Sequence, residues 1–159
     1  MSSLGDTLKT ISKHTETIAI IIAGLAAIGV GYTSYVAGLW DGESLEKYSK
    51  ATSALTDANT TYLSIGQRND EASDAEIATA QAQYDTEHKE AAALTEEADT
   101  ANKKGDYMQL LSVYFSVVLF LTSLMTVVRR TTNKIAVILI GTGVLLICTI
   151  LAITAGMPS

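Results

Sequence analysis

The chain has 159 residues, of which 48% are hydrophobic and only 18% charged, with a net charge of −6. A soluble domain carries charge on about a quarter of its residues. Residues 18–40, 107–128 and 135–155 contain no Asp, Glu, Lys, Arg or His, and each can cross a ~30 Å hydrocarbon core as a helix. Three such runs cannot be enclosed by what remains of so short a chain. The sequence therefore predicts an all-α integral membrane protein with three transmembrane helices and an extramembrane antiparallel helical hairpin between the first and second.

Residues 1–17 read as a short cytoplasmic tail bearing Lys9, Lys13 and Glu16. The first span, 18–40, is too long for the apolar region of a signal peptide and reads as a retained anchor. Within it Ala19, Ala23, Ala27 and Gly31 recur every four residues. This small-residue ridge lets transmembrane backbones approach closely, and it is the expected helix-packing or oligomer interface. Tyr32, Tyr35 and Trp40 fall toward the outer end, where aromatic side chains anchor in the headgroup layer.

Residues 41–106 hold fifteen acidic and six basic residues and no proline. Leu45, Tyr48, Thr52, Leu55, Asn59 and Tyr62 recur at spacings of three and four, one stripe of an α-helix. Ile77, Ala80, Tyr84, Glu87, Ala91, Leu94, Ala98 and Ala101 form a second. Gly66–Asp70 supplies turn residues, with Gly66 suited to a helix C-terminus. Ser73-Asp-Ala-Glu76 fits a capping box opening the next helix. The two stripes are expected to face each other across a thin seam, since alanine, threonine and asparagine stand where a robust coiled coil would carry leucine.

The second span, 107–128, places Ser112, Ser116, Ser123 and Thr126 on one face, a candidate pore or packing face. The connection 129–134 carries Arg129, Arg130 and Lys134 and no acid. The positive-inside rule puts it in the cytoplasm, and these cations would also attract anionic lipid. The third span, 135–155, has Gly141, Cys148, Ala152 and Ala155 on one face, and the tail 156–159 follows. The expected location is a prokaryotic inner or plasma membrane, N-terminus in the cytoplasm and C-terminus outside.

Catalytic chemistry finds no foothold. The two histidines, His14 and His88, are far apart in the sequence, and no nucleophile elbow, phosphate loop or zinc-binding pattern occurs. Glu87, His88 and Glu90 do not form a compact ligand face on a helix. No enzyme, metal or cofactor is expected, and no nucleic-acid partner. The spans lack the ionisable groups and proline breaks of ion-coupled transporters. The expected function is a non-catalytic membrane assembly protein, a self-associating scaffold or small accessory subunit of a larger membrane complex. Its partners would be membrane lipids, further copies of the chain or other membrane subunits. The alternative is a homo-oligomeric ion channel or pore lined by the hydroxyl face of the second span.

The layout resembles a family of small bacterial membrane proteins catalogued as a domain of unknown function. The residues that suggest it are Gly38-Leu39-Trp40 with Tyr48, the run Tyr114–Leu121, Arg129-Arg130 and the glycine-bearing third span ending at Gly156. The outer segment departs from that pattern in having more Thr and Asp and fewer Lys and Arg. The resemblance implies three spans and a basic turn, and brings no activity or functional residue.

Overall fold

A computed structural model of the chain describes residues 3–67, 73–125, 127, 128 and 130–156, with side chains from His14 onward except that of residue 131. It is all-helical among those residues: α1 (Ser3–Gln67), α2 (Asp74–Leu124) and α3 (Thr131–Ala155). All three are long and apolar enough over part of their length to cross a membrane. The only proline is at position 158, so nothing in α1 or α2 removes a helical N–H or clashes with the preceding turn. That lets each run unbroken from an apolar stretch into a polar one.

The chain divides into two compact units. The apolar unit takes α1 up to Gly38, α2 from Gly105, and α3. Its core is Ile22 and Ala26 of α1, Phe115 and Val118 of α2, and Leu145 and Cys148 of α3. The covered positions alternate at three and four residues: Thr15, Ala19, Ile22, Ala26, Thr33 and Val36 on α1, with Gly29 between. Met108, Leu111, Phe115, Val118 and Thr122 do the same on α2, and Met125 just past its end continues the spacing. On α3 the packed face is Gly141, Leu145, Cys148 and Ala152, the face marked out in the sequence by small residues. Gly29 has a specific reason to be glycine, because a Cβ there would lie 2.5 Å from Phe115 Cε1. Several hydroxyls in this unit turn back on their own helices: Thr33 donates to the Gly29 carbonyl at 2.8 Å and Thr149 to that of Leu145 at 2.8 Å. Such bonds give a hydroxyl a partner within its own helix.

The polar unit is Leu39–Lys104. Four contacts tie its two helices, pairing Ser44 with Ala98, Lys47 with Glu97, Tyr48 with Asp99, and Tyr62 with Tyr84. From the Ser44–Ala98 pair to the Tyr62–Tyr84 pair the number rises on one helix and falls on the other, so the two segments run antiparallel. The seam is built on alanine: Ala51 and Ala58 of α1 and Ala91, Ala98 and Ala101 of α2 are buried.

That seam corrects one sequence expectation and supports another. The α2 stripe Ile77–Ala101 is covered at every predicted position. On α1 the covered residues are Ser44, Lys47, Ala51, Ala54, Ala58 and Thr61, one residue before the predicted stripe. Leu45, Tyr48, Thr52, Leu55, Asn59 and Tyr62 lie on the exposed side. One residue is about 100° round a helix. Alanine takes the seam because its single methyl lets the two backbones come close, which leucine would prevent.

At the start of α2 the capping box forms in part as read. The Ser73 N–H donates to Glu76 Oε2 at 2.9 Å, while the Ser73 hydroxyl donates to the same oxygen at 2.9 Å. The Glu76 N–H is taken by the Ser73 carbonyl at 3.0 Å. Gly66 does not end its helix in a left-handed turn; α1 continues through it to Gln67, and the one positive-φ glycine among the described residues is Gly156 at the end of α3, with φ 73°. The rest of the predicted turn, 68–70, lies outside the described residues. Helix α2 ends at Leu124, four residues before the expected end of the span, and closes with Val127 and Val128 N–H groups on the Leu124 carbonyl. Helix α3 begins at Thr131, so Lys134 stands in its first turn.

Candidate functional site

The small-residue ridge of α1 does not stay on one side of the packing. Ala19 is buried, Ala23 half-buried, and Ala27 and Gly31 are exposed. A four-residue step overshoots a 3.6-residue turn by about 40°, so the ridge winds out of the core. Gly24, Gly31 and Gly38 recur every seven residues on the outward side, and a Cβ built on any of them would meet nothing within 4 Å.

On α2 the hydroxyl face lies beside the packed face. Ser112 is half-buried and shares a 3.1 Å hydrogen bond with Ser34 of α1. Ser116 and Ser123 are exposed, and their hydroxyls donate to the carbonyls of Ser112 (3.0 Å) and Phe120 (2.7 Å). Thr126 lies outside the described residues. Ser123 meets the start of the α1 ridge at an open groove of about 480 Å³, which Ala19, Ala23, Glu16 and Thr122 also line. The structure thus brings together Ala19, Ala23 and Ser123, and separately Ser34 and Ser112. It leaves Ala27 and Gly31 apart from both.

Among the basic residues whose side chains are described, Lys134 is the most covered, with Nζ 3.5 Å from Glu16 Oε1. Arg130 is exposed at the N-cap of α3, and Arg129 lies outside the described residues.

The polar unit concentrates its charge contacts near one end. Lys47 Nζ bridges Glu43 at 2.9 Å and Glu97 at 3.0 Å. Those bonds, with Glu43 first, hold the ammonium above the ordinary lysine pKa. The Tyr48 phenol is likewise raised, chiefly by its hydrogen bond to Asp99. Glu46 is lowered by its hydrogen bond to Lys50, whose Nζ lies 2.6 Å away. Trp40, expected as a headgroup anchor, is buried, with the Lys104 ammonium 4.1 Å from its ring centroid. Cation and ring at that distance attract through the ring quadrupole. Two contacts were beyond sequence reasoning, the Trp40–Lys104 pair and the Ser34–Ser112 bond, because each joins residues far apart in the chain with no periodic signal.

Among the described residues, no three His, Cys, Asp or Glu side chains gather as metal ligands would. His88 stacks obliquely on Tyr84 of its own helix at 5.7 Å. Comparison with protein-family models, curated proteins and solved structures yields no match to this chain.

Proposed function

We propose that the chain is a non-catalytic membrane assembly protein. Its three helices cross a prokaryotic inner or plasma membrane with the N-terminus inside, and residues 41–106 stand outside as an antiparallel helical hairpin. It associates laterally, with further copies of itself or as a small accessory subunit of a larger membrane complex. The observation that carries this reading is the outward face of α1. Gly24, Ala27, Gly31 and Gly38 form a strip of small residues on that side of the helix, flanked by exposed Ile20, Ile28 and Tyr35 and opposite the face that packs on Phe115. In lipid, helices gain no hydrophobic drive to meet, so close backbone approach across small residues is what favours association. The basic residues Arg130 and Lys134, with Arg129, support the orientation.

Native mass spectrometry of the protein gently extracted from its own membrane tests the proposal. A homo-oligomer, or co-migration at fixed ratio with other polypeptides, supports it. A chain that is monomeric and alone sinks it. Gly31→Leu, placed in open space, is expected to shift the distribution toward monomer without unfolding the protein.

A pore is the second reading, favoured by the exposure of Ser116 and Ser123 on one side of α2. Hydroxyl groups can line a channel without charge. If several copies enclose a pore with this face, Ser116→Leu abolishes conductance in planar bilayers; if the wild type passes no current, the reading is wrong.

A further inference from the structure

Leu45 is 70% exposed, Leu63 63%, Tyr62 56% and Leu55 39%. These are large apolar side chains left uncovered on the most polar part of the chain. They lie on or beside the stripe Leu45, Tyr48, Thr52, Leu55, Asn59 and Tyr62, which lies outside the alanine seam, with Tyr48 and Tyr62 reaching α2 at Asp99 and Tyr84. We propose that this stripe is a self-association face, on which the same stripe of a second copy packs in parallel and in register. The inference rests on the membrane assembly reading above, since two copies inserted with one topology necessarily point the same way.

Three observations commit the face to a second copy. The first is its repeat. Spacings of three and four over six positions place Leu45, Thr52 and Asn59 in one heptad row and Tyr48, Leu55 and Tyr62 in the other. Two identical parallel helices mesh by such rows, and a lone asparagine in the first row holds register.

The second is charge. Between residues 42 and 66 the charged side chains of α1 are Glu43, Glu46, Lys47, Lys50 and Asp57. None falls within the stripe itself; Glu46 shares the helical position of Thr60 on its flank, and Asp41 stands one heptad before Tyr48. The acid is gathered on α2, where residues 74–104 hold eight acidic and three basic residues. A basic partner would be drawn to α2. A second copy instead sets an uncharged face against an uncharged face, with no like charges opposed.

The third is polar satisfaction. Thr52, Thr56 and Thr60 donate in a chain to the carbonyls of Tyr48, Thr52 and Thr56 at 2.8 to 2.9 Å. Covering these hydroxyls therefore leaves no donor stranded. The phenol of Tyr48 is also occupied, on Asp99, and the Tyr62 ring rests 5.5 Å from that of Tyr84. Two of the three residues of the second row are thereby held in place by α2.

The test uses the full-length chain in its native membrane, with Cys148→Ala to leave one introduced thiol at a time. Thr52→Cys and Asn59→Cys are expected to give a cross-linked dimer of this chain with a short thiol-to-thiol reagent. Asp57→Cys, exposed on another face, is expected not to. Adding Leu55→Glu to Asn59→Cys should abolish the dimer band, while Leu55→Gln should retain part of it. Equal cross-linking at Asp57→Cys overturns the proposal, as does capture by Asn59→Cys of only other polypeptides. Native mass spectrometry of the unmutated chain separates this inference from the reading beneath it. An oligomer with no cross-link at 52 or 59 refutes the stripe and leaves membrane assembly standing; a solitary monomer refutes both.

Discussion

The two units of this protein solve the same packing problem with opposite materials. In the apolar unit a large ring, Phe115, is seated over Gly29 and surrounded by Ile22, Val118 and Leu145. In the polar unit the buried residues between α1 and α2 are mostly alanines, and the leucines of α1 stay outside. Lipid is as apolar as leucine, so a membrane helix pair gains by filling space well and not by hiding oil from water. A water-exposed pair would ordinarily hide its leucines. The polar unit hides alanine instead, and its geometry is set by close approach and by the ties at Ser44, Lys47 and Tyr48. The large side chains remain for something else.

The contrast can be broken most severely at Phe115. Phe115→Ala opens a cavity beside Gly29 and is expected to cost about 3 kcal/mol or more, seen as a lowered unfolding midpoint in detergent. The polar unit should respond in the opposite sense, to gain of volume. Ala58→Leu is expected to force the seam apart at a cost of about 1–3 kcal/mol, read as faster hydrogen exchange across residues 51–65 and 84–101 while the apolar core stays protected. If Ala58→Leu is tolerated, the seam is not closely packed and the comparison fails.

A smaller effect concerns pH. The Lys47 ammonium and the Tyr48 phenol are both held above their ordinary values by partners on the paired helix or its own. A raised pKa means the paired state holds its proton more tightly than the separated one. Their contribution is therefore complete below about pH 10 and is lost as pH rises through the raised values. Glu46, lowered by Lys50, contributes above about pH 4.3 and is lost in acid below it. Exchange near residues 44–48 should be flat from about pH 5 to about pH 9, after correction for the intrinsic rate, and should loosen above about pH 10. Protection that falls steadily from about pH 7 would contradict the assignment of these contacts. The smallest effect is expected at Leu55. In detergent-dispersed monomer Leu55→Ala should change stability by no more than about 0.5 kcal/mol, because its side chain lies outside the seam. A large loss would return Leu55 to the seam.

Much of the fold was legible because each of the three long uncharged runs falls largely in a helix long and apolar enough to cross a membrane. The α2 stripe from Ile77 to Ala101 and the small face of α3 were readable for a second reason, that their alanines and large residues share one face. On α1 they do not. Leu45 and Leu55 form a stronger hydrophobic signal than Ala51 and Ala58, and periodicity follows the larger residues. The seam obeys distance of approach instead, a property of two helices that one helix's periodicity does not contain. The ridge at Ala19–Gly31 failed to stay on one side for a simpler reason: a strict four-residue repeat is not a helical repeat, and it drifts.

Trp40 is the only tryptophan in the chain, and it is buried with a lysine ammonium over its ring. The protein thus carries its own optical gauge at the first residues of the polar unit. Its indole emission should shift to longer wavelength when α1 and α2 part there. Separation of the two helices can then be followed in intact membranes, in real time, on an unlabelled chain.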